Sequence, residues 1–523
     1  MQRTSLIQRL AESKGFDIAV IGGGATGLGV ALDASLRGFK VILLESHDFA
    51  KGTSSRATKL VHGGVRYLAQ GNIGLVREAL SERTTLLHNA PHLADALPFV
   101  MPSYKWWESP FYGIGLKAYD ALAGKASLGP TELLGTQETL RLLPNAKPEG
   151  LFGGVKYWDG QFDDARLALA LARTAQNHGA LVINYCAVVD LLQDGGKLVG
   201  LECQDRETGK NYKVRAICIV NATGVWVDNI RQIDAAAQRK SVQKMVAPSQ
   251  GVHLVVDRKF LASDHALMVP KTADGRVMFA VPWLGKTILG TTDTPRDDIP
   301  REPDAFASEV DFILSESARY LTAAPTKRDV KSVWVGLRPL VKPEGLEGGS
   351  TKAISREHTV MVGASGLVTV TGGKWTTYRS MAEDVLRHCF DAKLLPPKSG
   401  GQTEKHPLQG AKARAKDAPK ISDAPGLHSY GSDEGEVLAL PGAENQLAEG
   451  LSEAMVRYAV RSEYALTVED VLARRSRMLF LDAHLACGLA GKVADILVSE
   501  GVKDPKTVEF EALALQYQGV DSH

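Results

Sequence analysis

Residues 16–45 read FDIAVIGGGATGLGVALDASLRGFKVILLE, and this segment sets the expected fold class. An apolar run at 16–21 is followed by a glycine turn, a helix-compatible stretch at 25–37, a stop at Gly38 and a second apolar run at 41–44. Two strands joined by one helix over about 30 residues are typical of a βαβ unit. The sequence therefore predicts an α/β domain that opens with a pair of parallel strands.

The glycine turn has the spacing of a dinucleotide-binding loop. Glycines stand where the strand turns sharply, where backbone approaches a pyrophosphate and where the helix packs closely on the sheet. Glu45 ends the second strand, where its carboxylate can accept hydrogen bonds from ribose hydroxyls. The same loop binds the ADP half of NAD or of FAD, so the spacing alone does not choose between them. The first candidate cofactor ligands are Gly22, Gly24, Ala25, Thr26, Gly27 and Glu45.

Three further segments have the composition of ligand-binding turns, although each also fits an ordinary polar turn. Residues 51–56, KGTSSR, supply hydroxyls and backbone donors, and residues 221–224, NATG, end an apolar strand. Residues 371–378, TGGKWTTY, place glycines between a strand end and a helix-compatible stretch, so their amides can face an anion or a flavin edge. These segments add the candidate cofactor ligands Thr53, Ser54, Ser55, Ala222, Thr223, Gly224, Gly373, Lys374, Trp375 and Thr376.

The composition argues against several classes of function. The 61 Lys+Arg and 60 Asp+Glu give a net charge of +1, so no overall field attracts nucleic acid. The five cysteines lack CxxC spacing, and we predict neither a disulfide framework nor a bound metal. No run of 18 uncharged apolar residues occurs, and residues 1–17 lack the apolar core of a signal peptide. We therefore expect a cytoplasmic protein that does not span a membrane.

The rest of the chain predicts a mixed α/β core followed by a helical domain. Strand-like runs are too far apart for a simple βα repeat and favour an inserted antiparallel sheet. They lie at 181–184, 213–221, 252–256, 276–281 and 360–371.

Beyond this core, composition shifts to Pro, Gly, Lys and Ala, which predicts a linker at 391–426 and a C-terminal helical domain at 427–523. Within that domain, 446–460 and 468–482 look helical, the second opened by a Thr467–Asp470 capping pair.

Six separated motifs occur along the chain: GGGATGLGVALDASLRGFKVILLE, TSSRATKLVHGGVRYL, ATGVWVD, ILGTTDT, GLRPL and TGGKWTTYR. Together they resemble the FAD-dependent glycerol-3-phosphate dehydrogenases of the respiratory type. The resemblance covers a core at about 16–390 and extends, more loosely, to VRSEYALTVEDVLARRSRMLFLDA. It implies an α/β fold with α+β insertions: a Rossmann-like FAD-binding domain and an antiparallel-sheet substrate domain. The FAD-binding parts would be about 16–90, 160–235 and 350–390, and the substrate parts about 91–159 and 236–349.

The resemblance implies that the protein oxidises sn-glycerol 3-phosphate to dihydroxyacetone phosphate by hydride transfer to FAD, with a membrane quinone as the next acceptor. A phosphate monoester needs cationic ligands, and the planar fork of arginine suits phosphate oxygens. The implied substrate ligands are Arg66, Tyr67, Arg338, Lys374 and Thr377. Lys59 and His62, in the second motif, are implied FAD contacts.

Two histidines are candidates for the base that takes the hydroxyl proton, because imidazole titrates near neutral pH. His253, in SQGVHLVV, corresponds to a histidine near substrate in relatives and is preferred, while His62 would bond the flavin or order its loop. Each also fits a satisfied core histidine. Arg338 completes the predicted catalytic set.

Residues 105–119, KWWESPFYGIGLKAY, combine aromatic rings with lysines, which favours either a bilayer interface or interior packing. With a quinone acceptor, we expect peripheral attachment to the inner face of the cytoplasmic membrane; the resemblance also leaves room for a homodimer. Three alternatives stay open: an oxidase that uses oxygen, an amine or amino-acid oxidase on the same fold, and a non-enzymatic or RNA-modifying flavoprotein.

Overall fold

The computed structural model describes residues 3–64, 72–342, 357–415 and 417–519. Its strands, in chain order, are β1 Phe16–Ile21, β2 Val41–Leu44, β3 Leu60–Val61, β4 Ala94–Ser103, β5 Glu132–Leu134, β6 Gly153–Phe162, β7 Leu181–Ile183, β8 Cys186–Asp194, β9 Lys197–Asp205, β10 Asn211–Asn221, β11 Val246–Asp257, β12 Ala266–Val269, β13 Met278–Trp283, β14 Lys286–Gly290, β15 Thr294–Pro295, β16 Val330–Val341, β17 His358–Val362, β18 Leu367–Gly372, β19 Gln446–Ala448 and β20 Leu451–Ser452.

The α-helices, in chain order, are α1 Arg3–Ala11, α2 Ala25–Leu36, α3 Ile73–Asn89, α4 Glu108–Ala123, α5 Thr136–Leu142, α6 Asp164–Asn177, α7 Val227–Ala237, α8 Ala307–Tyr320, α9 Tyr378–Asp391, α10 Glu434–Leu438, α11 Glu453–Ser462, α12 Met478–Leu481, α13 Ala483–Ser499 and α14 Thr507–Tyr517. Short 3₁₀ turns at Thr53–Ser55, Gly224–Trp226 and Trp375–Thr377, and a π-helical turn at Asp470–Arg475, matter for the site.

The predicted βαβ unit is confirmed at its strands and helix. β1 and β2 pair in parallel, and α2 between them ends before Gly38, whose positive φ of 75° favours glycine. The first sheet has the order β17-β18-β10-β1-β2-β7, with an antiparallel edge strand, β17, and a β8–β9 hairpin on the first half of β10. Apolar residues of α2, α6 and α9 cover one face, and α1 and the hairpin cover the other.

The second sheet confirms the predicted antiparallel insertion. Its order is β15-β11-β14-β13-β12-β4-β6-β3, with β16 beside β11 and β5 beside β6; the β12–β4 pair alone among these is parallel. Alternate residues of a strand face opposite sides, so Trp334 packs towards the C-terminal domain while Val333 and Val335 pack against the helix layer of α5 and α8. The C-terminal domain therefore packs on one face of this sheet, where residues of α4 also contribute to the core.

The segment predicted as a linker, 391–426, is irregular and largely exposed, but a few buried side chains anchor it to the protein. Beyond the last residue of α9 it contains a 3₁₀ turn at Gln402–Lys405 and buries Leu395, Leu408 and Ile421 in the two main cores. Its polar composition thus reflects the lack of repeating structure and does not indicate a flexible spacer.

Two secondary-structure predictions were wrong, and the helix predicted at 468–482 is interrupted at Arg477, between the π-helical turn and α12. The single strand expected at 360–371 is the β17–β18 hairpin, because Gly366 takes a positive φ of 94° in the turn between the strands. The helix expected at 446–460 is preceded by the β19–β20 hairpin, with Gly450 at a φ of 74°, and the helical part, α11, begins only at Glu453. In both places a glycine permits the reversal that the apolar pattern hides.

Within the described ranges, no helix combines the length and apolarity needed to cross a bilayer.

Candidate active site

The turn after β1 is shaped by glycines at which a larger residue would clash with the backbone. Gly22 has a φ of 110°, and a Cβ on it would lie 2.6 Å from the carbonyl oxygen of Ala222. A Cβ on Gly27 would collide with the carbonyl oxygen of Gly22. Because strand and helix approach so closely, the first turn of α2 presents its N–H groups and the positive end of its dipole to the space beside the turn.

That space is a cavity of about 390 Å³, within the range of small-molecule sites. Its walls are strand ends of the first sheet, part of a segment that we call the cavity loop (residues 48–56), and Pro339 of β16. Thirteen predicted cofactor ligands line it: Gly22, Gly24, Ala25, Thr26, Glu45, Thr53, Ser54, Ala222, Thr223, Gly224, Gly373, Lys374 and Trp375. Three segments that are distant in the chain thus meet around one ligand-sized space.

Glu45 orders the glycine turn as well as lining the cavity. One carboxylate oxygen accepts a hydrogen bond from the Gly23 N–H at 2.7 Å, and the other accepts from the His47 N–H at 2.9 Å. The Ala25 N–H donates to the Ser54 hydroxyl at 3.0 Å, which ties the start of α2 to the cavity loop.

Five predicted cofactor ligands do not line the cavity: Gly27, Ser55, Lys59, His62 and Thr376. The assignment of Lys59 is corrected, because its fully buried ammonium donates to the Ser55 carbonyl at 2.7 Å and to Asp164 at 2.8 Å. Three aromatic rings lie within 5.3 Å of it, and burial lowers the pKa of Lys59 to about 7. Lys59 therefore contacts the cavity loop on the side that faces away from the cavity.

The cavity has an aromatic and cationic end that sequence reasoning missed. The guanidinium of Arg301 lies 3.7 Å from the ring centre of Trp226, and both residues line the cavity beside His47. Burial, followed by the charges of Arg206, Arg301 and Lys51, lowers the pKa of His47 to about 3, so its ring is neutral. The motif ATGVWVD contained Trp226, whereas nothing local marked Arg301.

His253 lies on β11, buried between strands and stacked on Trp334 with ring centres 5.2 Å apart. Its Nε2 is 2.9 Å from the Thr58 hydroxyl, and its buried Nδ1 has no hydrogen-bond partner within the described part of the chain. Burial, then the charges of Lys59 and Arg338, holds the pKa of His253 well below its ordinary value. The imidazole is therefore neutral.

Arg338 lies on β16, opposite Ser249 of β11, and two glycines leave room around this pair of strands. A Cβ on Gly251 would collide with the Arg338 guanidinium, and one on Gly290 would lie 2.6 Å from the His253 ring. Arg338 donates to Asp293 at 3.2 Å and to the Thr292 carbonyl at 3.0 Å. The next residue along β16, Pro339, lines the cavity, whereas Arg338 itself is not among the lining residues.

The remaining predicted residues lie where β3 and β18 end. The Thr376 hydroxyl is 3.5 Å from the His62 carbonyl oxygen, which joins the two loops, and the Thr377 hydroxyl is 3.3 Å from the Lys374 carbonyl oxygen. Lys374 itself lines the cavity. Arg66 and Tyr67, predicted to bind substrate phosphate, lie outside the described residues.

Comparison with known proteins shows which family has this architecture. Residues 17–379 match the family described as FAD dependent oxidoreductase, and residues 401–507 match the C-terminal domain of alpha-glycerophosphate oxidase. The mitochondrial glycerol-3-phosphate dehydrogenase of Schizosaccharomyces pombe is 37% identical, covering 99% of this chain and 89% of that protein. Its Bos taurus counterpart is 39% identical, covering 95% of this chain and 72% of that protein. The chain belongs to the FAD-dependent glycerol-3-phosphate dehydrogenase family.

A solved structure supports the cofactor of this dehydrogenase family. The glycerol-3-phosphate dehydrogenase from Bacillus halodurans, complexed with FAD, is 29% identical with a TM-score of 0.78, covering 99% of this chain and 98% of that one. FAD is the cofactor, and the side-chain-free glycine turn under α2 suits its pyrophosphate. Glycine oxidase from Geobacillus kaustophilus, 20% identical over 75% of this chain and 98% of that one with a TM-score of 0.50, shares the fold alone.

The second family match also bears on domain boundaries. In this glycerol-3-phosphate dehydrogenase family member the C-terminal match begins at residue 401, inside the segment predicted as a linker.

Proposed function

We propose that the protein oxidises sn-glycerol 3-phosphate to dihydroxyacetone phosphate. The observation that carries this is a pair of cations: Lys374 lines the FAD cavity, and Arg338, one residue before the cavity-lining Pro339, is near enough to the neutral His253 to help lower its pKa. A phosphate dianion needs such cations, and a carbinol proton needs a neutral base. The dehydrogenases that this chain resembles carry the same substrate in their names.

Each residue has a distinct task in this proposal. Arg338 and Lys374, together with Arg66, Tyr67 and Thr377, bind the phosphate and fix the carbinol carbon. His253 accepts the hydroxyl proton, while the Thr58 hydroxyl holds its other nitrogen. Bound FAD supplies the acceptor for the hydride. His62, whose carbonyl joins the two loops, orders the site.

Anaerobic mixing of the holoenzyme with three substrates tests the proposal. We expect flavin absorbance to bleach with sn-glycerol 3-phosphate and to stay unchanged with glycerol, which lacks the phosphate, and with glycine. Bleaching by glycine would identify an amino-acid oxidase on the same fold. Equal bleaching by glycerol would mean that the proposed phosphate ligands do not contribute to substrate recognition.

We further propose that electrons pass to a membrane quinone and that the protein attaches peripherally to the inner face of the cytoplasmic membrane. The support is an apolar surface around α4: Trp106, Phe111 and Ile114 are 76%, 64% and 73% exposed, and the Lys105 ammonium lies 5.7 Å from the Trp107 ring centre. Exposed aromatic and aliphatic side chains beside lysines suit the bilayer interface.

Oxygen is the alternative acceptor, because the C-terminal domain matches a family named for an oxidase. Turnover with glycerol 3-phosphate in air, with and without a soluble quinone, separates the two. We expect quinone reduction to account for the electrons from substrate with little peroxide. Stoichiometric peroxide formation without quinone reduction would identify oxygen, and not a quinone, as the electron acceptor.

A further inference from the structure

The C-terminal domain contains three arginines whose side chains are almost completely buried. Arg474 and Arg475 lie at the end of the π-helical turn and Arg477 precedes α12; they are 2%, 3% and 1% exposed. A guanidinium buried away from water is strongly unfavourable unless anions and carbonyl oxygens surround it. Their partners therefore show what these arginines are for.

The main partner is Asp48, the first residue of the cavity loop, which is itself fully buried. Arg474 Nε donates to one oxygen of Asp48 at 2.5 Å, and Arg475 Nη2 donates to the other at 3.0 Å. Although burial raises the pKa of Asp48, the two guanidiniums hold it below its ordinary value. Asp48 is thus a carboxylate held by two cations from a domain more than 400 positions away in the chain.

Two further contacts hold the middle and the end of the cavity loop. The Lys51 ammonium binds the carboxylate of Glu469 at 2.6 Å, and Glu469 in turn accepts from Arg474 at 2.7 Å. Arg477 donates to the Ser55 carbonyl at 2.9 Å and to Asp164 at 3.0 Å. The C-terminal domain therefore contacts the beginning, the middle and the end of this loop.

The other side of the loop faces the cofactor space. Residues 50–54 line the cavity, and Ser54 both accepts from the Ala25 N–H and offers its carbonyl to the Trp375 indole at 2.8 Å. Where the loop ends, a Cβ on Gly336 would lie 2.7 Å from the Arg56 carbonyl oxygen, so the backbone rests directly on β16. The loop is therefore held on both sides, which favours the conformation that it has here.

We propose that the C-terminal helical domain completes the FAD site, with Arg474, Arg475 and Arg477 as positioning residues that hold the cavity loop in its FAD-binding conformation. This rests on FAD occupying the cavity and is independent of which substrate reduces it. Without the arginines, Asp48 would be left buried and unpaired, and the loop would move to hydrate it. FAD would then dissociate faster, although no arginine of the cluster lines the cavity.

The test compares FAD release from intact holoenzymes carrying Arg475→Gln or Arg173→Gln. Arg173 forms an ion pair with Asp433 at 2.5 Å, which also joins the core to the C-terminal domain but does not touch the cavity loop. Release is followed by the fluorescence of free FAD below the unfolding temperature, and stability by thermal unfolding of the same samples. We expect Arg475→Gln to release FAD about 10- to 100-fold faster, the range seen when outer partners of a binding site are removed.

Arg173→Gln should lower the unfolding temperature but leave FAD release at the rate of the unchanged protein, and Arg475→Lys should restore part of the retention. If Arg475→Gln does not fold, Glu469→Gln tests the same loop from its partly exposed side, where it removes the nearer of the two carboxylates that pair with Lys51 and leaves Glu302 at 3.5 Å. Unchanged FAD release in both loop variants, or equal acceleration in the Arg173 control, would overturn the proposal. Because no substrate is used, either result leaves the proposed reaction untouched.

Discussion

Gly27 and Gly491 are both helical glycines in very different surroundings. A Cβ on Gly27 would collide with the Gly22 carbonyl oxygen, whereas nothing lies within 4 Å of one on the exposed Gly491. We expect Gly27→Ala to lower the free energy of unfolding by about 1–3 kcal/mol, the usual cost of overpacking, and to reduce FAD content. The control Gly491→Ala should raise it by up to about 1 kcal/mol, because alanine is the better helix former. Urea unfolding measures both variants. If the two substitutions change the free energy of unfolding equally, the close packing at Gly27 does not destabilise the alanine variant.

The two candidate bases can be separated by substitution. We expect His253→Asn to lower kcat about 10²- to 10⁴-fold, the usual contribution of a general base. FAD content should stay unchanged, since His253 does not line the cavity. The comparison variant His62→Asn should retain most of kcat, because asparagine keeps the backbone carbonyl that contacts the Thr376 hydroxyl. If instead His62→Asn loses turnover and His253→Asn does not, the base is His62.

The helix α4 carries an exposed apolar surface. If this surface contacts only a membrane, substitutions in it should leave the free energy of unfolding nearly unchanged. Burying two such side chains in a bilayer interface is worth about 3–6 kcal/mol. We therefore expect Phe111→Ser with Ile114→Ser to weaken binding to anionic liposomes at least about tenfold. Stability should change by less than about 0.5 kcal/mol per site, since both side chains are exposed.

The control for this surface is Val508→Ser on α14, which removes another apolar side chain, 75% exposed, from a different place. Its liposome binding should match that of the unchanged protein. Flotation with liposomes at low and moderate salt measures all three proteins. If the α4 variant floats as well as the control, this helix is not the membrane contact.

Element prediction succeeded where one local rule dominated. The strands of the βαβ unit follow from apolar runs bounded by glycines, and the Thr467–Asp470 capping pair forms as expected, with each residue's backbone N–H bonded to the other's side chain at 3.1 Å. The π-helical turn and the break at Arg477, whose φ is 66°, were not predictable in this way. Both features carry buried arginines whose partners, Asp48 and Asp164, lie in distant parts of the chain.

At the scale of the whole molecule, His92 lies where the core contacts the C-terminal domain, and its burial there affects how stability depends on pH. A Cβ on Gly431 would lie 2.9 Å from its ring, and burial, then the charge of Arg166, lowers the pKa of His92 to about 3. Below about pH 6.5 the unfolded chain therefore binds a proton that the folded protein does not, so stability falls with falling pH by up to about 1.4 kcal/mol per unit.

We expect His92→Gln to remove the part of the stability loss at low pH that His92 causes. Urea unfolding between about pH 5 and pH 8 measures it. Above about pH 7 His92 is neutral in both states, so the two proteins should show the same pH slope there, which serves as the internal control. Identical slopes below about pH 6.5 would mean that His92 is solvated or protonated in the folded protein.

Local spacing was enough to predict the nucleotide turn, the α/β class and the antiparallel insertion, and it marked the turns that contain thirteen of the residues lining the cavity, because strand, turn and helix signals act over neighbouring positions. Three-dimensional packing was needed to show that Lys59 stands behind the cavity loop, that Arg301 and Trp226 close one end, and that Asp48 binds arginines of the C-terminal domain. Desolvation and ion pairing depend on which distant segments meet, and no neighbouring residue encodes that.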